Sequence, residues 1–208
     1  MPLQTEFIEL QFTAPANQQI GNLQAKCPIR FKVNYQFTAT TTVDVSVINY
    51  DELQRLLRAG QSPAFAPVQN VGRGPIKILF DFGATLPIRT SSSVAGGFKS
   101  ILPVFITVED KGTGLLDKIP VGALKLSPPE TGFIPTADCD RFTKSSIPYT
   151  NSEEIPFIRK KTVQLRCPFK VPSDTEVPIQ RSYFFSSEFT YPYDINQEVE
   201  VTVNPIAV

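Results

Sequence analysis

The sequence contains no histidine and no tryptophan among its 208 residues. Histidine is the usual general base near neutral pH, so its absence leaves carboxylates, lysine, tyrosine, serine and cysteine for any catalysis. A Cys–His pair is excluded, and three cysteines without CxxC spacing do not suit a zinc site. These absences predict a protein that is not an enzyme and that binds no metal or cofactor.

The sequence also lacks net charge and long apolar runs. Twenty basic residues balance twenty acidic ones, so bulk charge does not favour nucleic acid as a partner. No apolar run approaches the roughly 18 residues of a membrane span. The segment 1–6 lacks the basic start and apolar stretch of a secretion signal. If Met1 is the natural start, we expect synthesis in the cytosol.

Proline and phenylalanine are abundant, with 19 and 16 copies. Prolines spread along a chain rich in Phe, Val and Ile favour short strands separated by turns over long helices. Apolar and polar residues alternate from Ile29 to Thr38, which is the period of a two-faced strand. Ile8, Leu10 and Phe12 alternate in the same way and predict an earlier strand. The sequence therefore predicts an all-β fold.

The segment 50–60 predicts one short helix, at about residues 51–59. Asp51 can cap its start, and Gly60 can end it in the left-handed conformation. Three leucines, at 53, 56 and 57, form an apolar stripe. We expect this helix to close one end of a sandwich, and the alternative is a helix that binds a partner.

Two segments about 140 residues apart resemble each other. LQAKCP at 23–28 precedes FKV at 31–33, and VQLRCP at 163–168 is followed directly by FKV at 169–171. The echo predicts two antiparallel β-sandwich units of immunoglobulin-like or jelly-roll type. Adjacent prolines at 128 and 129 suggest the junction. We therefore expect a larger N-terminal sandwich over 1–130 and a smaller C-terminal one over 131–208, which would be a weak repeat of the first.

The three cysteines leave at least one thiol unpaired. Cys139 and Cys167 can form a disulfide within the second half, although cytosolic thiols normally stay reduced. By the repeat, Cys27 would occupy the same structural place as Cys167 and would be a small buried apolar residue. Asp138 and Asp140 flank Cys139 in a stretch rich in turn formers, which favours a solvated loop; the alternative is a pair that binds a hard cation or acts as acid and base.

Several groups are candidates for an interface. Residues 183–193 are rich in aromatic side chains, of which alternate members should be core. Residues 90–97 are small and polar and predict a loop tip, and a basic cluster near 160 is either a solvated face or a site for an acidic partner. A terminal strand at 198–208 can be offered to a neighbour by strand addition. The candidate interface residues are Phe184, Tyr191, Tyr193, Ser92, Ser93, Arg159, Lys160 and Lys161.

These patterns favour a non-enzymatic structural subunit of a multi-protein assembly. The expected form is a virion component such as a capsid, turret or tail or nozzle protein, with an archaeal virus as one source, and its partners would be copies of itself and other structural proteins. The alternative is an immunoglobulin-like or arrestin-like binding module that recognises a protein or glycan. A carboxylate-based enzyme is the third hypothesis.

Overall fold

A computed structural model of the chain describes residues 9–15, 24–61, 67–84, 87–91, 101–114, 116–136, 139, 141–157 and 161–204. Within these ranges the backbone is mostly β-strand with one helix, so the all-β prediction is confirmed. That helix is neither long nor apolar enough to cross a membrane. The strands are β1 (Ala25–Ile48), β2 (Val68–Val71), β3 (Ile76–Asp81), β4 (Ile88–Arg89), β5 (Ile101–Asp110), β6 (Lys118–Ile119), β7 (Leu124–Ser127), β8 (Ile134–Pro135), β9 (Phe142–Thr143), β10 (Tyr149–Asn151), β11 (Ile155–Pro156), β12 (Thr162–Lys170) and β13 (Gln180–Val203).

The chain divides into two compact units. The larger unit is Asn34–Asp194, and the smaller unit combines Met1–Val33 with Ile195–Val208. This division differs from the predicted boundary near residue 130. β12 pairs with β5 along its whole length, so the two predicted halves share one sheet. The prolines at 128 and 129 follow the end of β7 and terminate that strand without separating two domains.

The described strands of the larger unit form a sandwich-like arrangement of antiparallel sheets. One sheet has the order β2-β1-β13-β7-β10-β9, with the short β4 added in parallel to β1, and the other has the order β3-β5-β12-β8. A small third sheet pairs β11 with β6. In β5 every second residue is buried, because an antiparallel strand of a sandwich turns one face to the core.

Aromatic side chains fill the space between the two main sheets. Phe185 of β13 is fully buried, and its ring centroid lies 5.4 Å from that of Phe82 and 5.5 Å from that of Phe169 on β12. Phe133 packs edge-on against Phe185 at 5.1 Å. Full burial of one such side chain stabilises the folded state by about 1.5–3 kcal/mol. This cluster accounts for part of the high phenylalanine content of the sequence.

The helix, α1, spans Tyr50–Arg58, close to the predicted 51–59. Its cap is Asn49 and not Asp51, because the Asn49 side-chain oxygen accepts a hydrogen bond from the Asp51 backbone N–H at 2.9 Å. Gly60 follows the helix with φ of 70°, the left-handed conformation that the sequence predicted. No residue of α1 is fully buried, so the leucine stripe is only partly covered.

Two other local predictions need correction. Residues 9–15 form no strand, and Leu10 and Phe12 are exposed, while Ile8 lies outside the described residues. Alternation there fails to produce a strand because none of the described strands pairs with it. Cys27 and Cys167 are not equivalent: Cys167 is fully buried in β12, whereas Cys27 is a part-exposed free thiol in β1. The echo marks two similar strands and not two similar domains.

Candidate interaction surface

The smaller unit contains a two-stranded antiparallel ribbon, which we define as residues 25–33 of β1 with residues 195–203 of β13. The two strands are antiparallel, because the cross-strand ion pairs join increasing residue numbers of β1 to decreasing residue numbers of β13. Lys26 Nζ lies 2.8 Å from Glu200 Oε1, and Arg30 Nε lies 2.7 Å from Glu198 Oε2. No residue of the ribbon is buried. The ribbon is therefore regular structure that is solvated along its whole length.

One face of the ribbon is charged, and the charge differs between its strands. The β1 strand carries three basic residues and no acid, whereas the β13 strand carries two acids and no base. The two ion pairs neutralise most of this charge within the chain. Because both pairs are largely exposed, each contributes little to stability. Their main effect is to select which strand lies beside which.

The other face of the ribbon is apolar. It carries Cys27, Ile29 and Phe31 on β1 and several valines on β13. Val33, Val199 and Val201 keep 47%, 43% and 40% of their surface exposed. A sandwich covers such a face with a second sheet, and an isolated two-stranded ribbon is marginally stable in water. This face thus has apolar surface that association would remove from water.

The outer edges of the ribbon are also unpaired among the described residues. β2 pairs with β1 only at residues 41–44, and β7 pairs with β13 only at residues 186–189. Unpaired edges expose backbone N–H and C=O groups that another strand can bind. The ribbon therefore offers two edges, each about nine residues long.

The outermost described strands of the two main sheets in the larger unit are short or closed. The outermost described strands β8 and β9 have two residues each, and β2 has four. The edge of β3 is closed by side chains: Thr41 Oγ1 donates to the Ile78 carbonyl at 2.7 Å. The Gln69 amide, oriented to satisfy both of its groups, donates to the Phe80 carbonyl at 3.3 Å and accepts from its N–H at 3.1 Å. These features oppose strand addition there.

Two predicted interface residues, Tyr191 and Tyr193, are in the core, which corrects that prediction. They are 0% and 1% exposed. They share the inward face of β13 with Phe185, and desolvation by burial raises the pKa of both hydroxyls. Phe184 lies on the opposite face and is 65% exposed. Successive side chains of a strand point to opposite faces, so the odd-numbered tyrosines lie on one face and Phe184 on the other. This difference was visible in the sequence.

Tyr193 also holds a turn. Its hydroxyl accepts a hydrogen bond from the Gly114 N–H at 2.9 Å and donates to Asp110 Oδ1 at 3.2 Å. Asp110 Oδ1 accepts in addition from the Gly112 N–H at 2.9 Å. The role of Tyr193 is therefore to fix the turn that follows β5.

The other candidate residues fall into two groups. Lys161 is exposed, and its Nζ donates to the Gly112 carbonyl at 2.9 Å. The remaining candidates, together with the two acids considered for catalysis, lie outside the described residues: Ser92, Ser93, Arg159, Lys160, Asp138 and Asp140. The predictions of a basic cluster and of an acid pair therefore stay predictions.

The structure joins Cys139 and Cys167 in a disulfide across 28 residues of sequence. Both cysteines are fully buried, so the bond links residue 139 to the centre of β12 within the core. Cys27 is the remaining thiol. The disulfide is therefore part of the core, and the structure contains this cysteine pair in its oxidised form.

One buried polar side chain, that of Asn151, binds the backbone at three points. Asn151 is 1% exposed, accepts from the Leu124 N–H at 2.9 Å, and donates to the carbonyls of Pro120 and Glu153 at 2.8 Å each.

Within the described ranges, no three His, Cys, Asp or Glu side chains are grouped so that they could hold a metal ion. No protein-family model, curated protein or solved structure matches the chain.

Proposed function

We propose that this chain is a non-enzymatic structural subunit of a multi-protein assembly. The observation that carries the proposal is the ribbon, which has an apolar face and, among the described residues, two unpaired edges and no buried residue. Contact with further copies, or with other structural proteins of the same assembly, would complete the hydrogen bonds of the edges, and contact at the apolar face would remove that face from water.

The use of polar side chains supports a structural role. The sequence has no histidine, and the buried Asp110 and Asn151 are engaged in hydrogen bonds that hold turns and strands. These two groups serve the fold, because the Asp110 carboxylate and the Asn151 amide both have partners within the chain. The proposal therefore assigns the chain to recognition between proteins and not to conversion of a substrate.

The specific form that we propose is a virion component, namely a capsid, turret or tail or nozzle protein, with an archaeal virus as its source. Subunits of such particles associate through repeated, identical contacts, and a head-to-tail contact between them produces rings or tubes. Genes for capsid, spike or packaging proteins beside its own gene would support this form. Neighbouring genes for secretion or sugar metabolism would contradict it.

One observation favours the alternative of a binding module for a protein or glycan. Phe184 exposes 65% of its surface on the outer face of β13, where an aromatic ring can stack on a sugar or enter a pocket. A monodisperse monomer that binds glycans on an array, and loses that binding on Phe184→Ser substitution, would establish this alternative.

The test of the proposed function is the mass of the full chain in solution. We expect light scattering after size exclusion to show a mass that rises with protein concentration, and electron microscopy to show rings, tubes or lattices. A specific contact should bury more than about 1,000 Å² in total. A monomer at every concentration up to the limit of solubility would contradict the proposal.

A further inference from the structure

We infer that copies of this chain associate edge to edge through the ribbon, with the β1 edge of one copy beside the β13 edge of the next. The inference rests on the proposed function and specifies its contact. The occupant of each ribbon edge is thus a second copy, and the contact is heterologous because two different edges meet.

Charge complementarity identifies this occupant. The β1 strand of the ribbon carries Lys26, Arg30 and Lys32, and the β13 strand carries Glu198 and Glu200. Within one chain, Lys26 binds Glu200 and Arg30 binds Glu198 across the strand pair. A carboxylate can accept hydrogen bonds from cations on two sides. The next copy can therefore repeat the same pairing at the outer edge of β13.

The other two edge combinations are opposed by charge. Pairing β1 with β1 would place basic side chains opposite one another, and pairing β13 with β13 would place Glu198 and Glu200 opposite their own copies. Like charges directly opposite each other destabilise a strand pair. A symmetric dimer through either edge is therefore disfavoured, and the basic-to-acidic combination remains.

The direction of the strands suits a repeating contact. β1 and β13 are antiparallel, so a following β1 that lies antiparallel to β13 points the same way as the first β1. Each added copy therefore repeats the previous step. A heterologous contact of this kind produces a ring if the rotation closes and a filament if it does not. The apolar faces of successive ribbons then lie on one side of a continuous sheet.

Pro28 sets a limit on the ladder. A proline in a strand has no N–H to donate and is tolerated where that position faces an unpaired edge. The outer edge of β1 therefore lacks one donor at residue 28. The intermolecular ladder should be centred on residues 29–33, and no proline interrupts residues 195–203 on the other side.

The experiment reverses both ion pairs at once. The variant K26E/R30E/E198K/E200K can remake both pairs within the chain, so its ribbon should form as in the wild type. It should also assemble with itself. It should not join wild-type copies, because the exchanged edges then meet with like charge. Tagged wild-type protein is mixed with an untagged partner, which is the ribbon variant, a control variant or the wild type. The mixture is diluted to dissociate assemblies and then concentrated again. The tagged protein is recovered, and the untagged protein that comes with it is measured.

The matched control exchanges an exposed ion pair away from the ribbon. Lys118 and Glu154 lie 2.8 Å apart and are both about half exposed. Untagged K118E/E154K should be recovered with tagged wild type as efficiently as untagged wild type. We expect recovery of the ribbon variant to be lower by about tenfold. Equal recovery of the ribbon variant would overturn the inference while leaving the proposed function in place.

A second measurement needs no variant. Raising the salt concentration from about 0.05 to about 0.5 M shortens the Debye length and weakens exposed ion pairs. We expect the dissociation constant of the wild-type assembly to rise by about fivefold or more. Association that is unchanged or strengthened by salt would indicate packing of the apolar faces and would overturn the inference. A wild type that stays monomeric would overturn both the inference and the proposed function.

Discussion

The contact between Gly112 and Tyr193 allows a sharp test of how the turn after β5 is held. A Cβ atom added at Gly112 would lie 1.9 Å from the Tyr193 hydroxyl oxygen and 2.7 Å from Pro75 Cβ. Real Cβ contacts essentially never fall below 3.0 Å. The substitution Gly112→Ala must therefore displace the tyrosine hydroxyl and break its bonds to Gly114 and Asp110.

The magnitude follows from these contacts. Gly112→Ala should lower the free energy of unfolding by about 3 kcal/mol, at the upper end of what overpacking costs. Tyr193→Phe should lower it by about 2 kcal/mol, because the buried Gly114 N–H loses its acceptor. In the Tyr193→Phe background the 1.9 Å contact with the hydroxyl oxygen is gone. The loss of unfolding free energy in the double variant should therefore be smaller than the sum of the two single losses by about 1–2 kcal/mol.

The assay is urea unfolding of the four proteins in this cycle, with the slope compared to confirm two-state behaviour. Gly122 provides the control, since a Cβ there meets nothing within 4 Å and its φ of 74° alone causes strain. Gly122→Ala should destabilise the wild-type and Tyr193→Phe backgrounds equally. If Gly112→Ala is also equally destabilising in both backgrounds, the turn does not depend on the hydroxyl and the reasoning is wrong.

Three further predictions follow from buried groups of the larger unit. Replacing Cys139 and Cys167 together with alanine should cost about 3 kcal/mol of stability in urea unfolding, from the loss of a 28-residue loop closure, whereas Cys27→Ser should cost almost nothing. Replacing Asn151 with alanine removes the side-chain partner of the Leu124 N–H and of the Pro120 and Glu153 carbonyls, of which Pro120 keeps the Ala123 N–H; it should cost about 3 kcal/mol, and a loss below about 1 kcal/mol would contradict that role. Burial raises the pKa of the Tyr191 hydroxyl, so as pH rises the unfolded state loses this proton before the folded state does. The free energy of unfolding should therefore fall as pH rises above about 10, and it should fall less in Tyr191→Phe.

Local patterns predicted the elements of the fold well. Alternation from Ile29 to Thr38 located part of β1, and the helix was placed to within one residue at each end. These features depend on neighbours a few residues apart. The pairing of β12 with β5 and the position of β13 between β1 and β7 depend on residues far apart in sequence. A single sequence holds no direct record of those contacts, so it could not show that β5 and β12 share one sheet.

The depth of burial could not be predicted from alternation alone. Cys27, Ile29 and Phe31 alternate with polar residues just as the three valines at 43, 45 and 47 do, yet the valines are buried and the first three are not. The difference is the presence of a second sheet over the later part of β1. The error at Tyr191 and Tyr193 had another cause, because both lie an even number of residues from Phe185, which places them on its face of β13 and Phe184 on the other.

Edge protection is selective in this molecule, and that selectivity bears on the ribbon. The six-residue edge of β3 is closed by two side chains, and the other outer strands described in the larger unit have at most four residues. The ribbon has longer edges, with Pro28 as the one proline on the β1 side and none on the β13 side. Long unprotected edges normally promote indiscriminate aggregation. Opposite charges on the two edges restrict that risk, since they favour one combination of edges and oppose the other two.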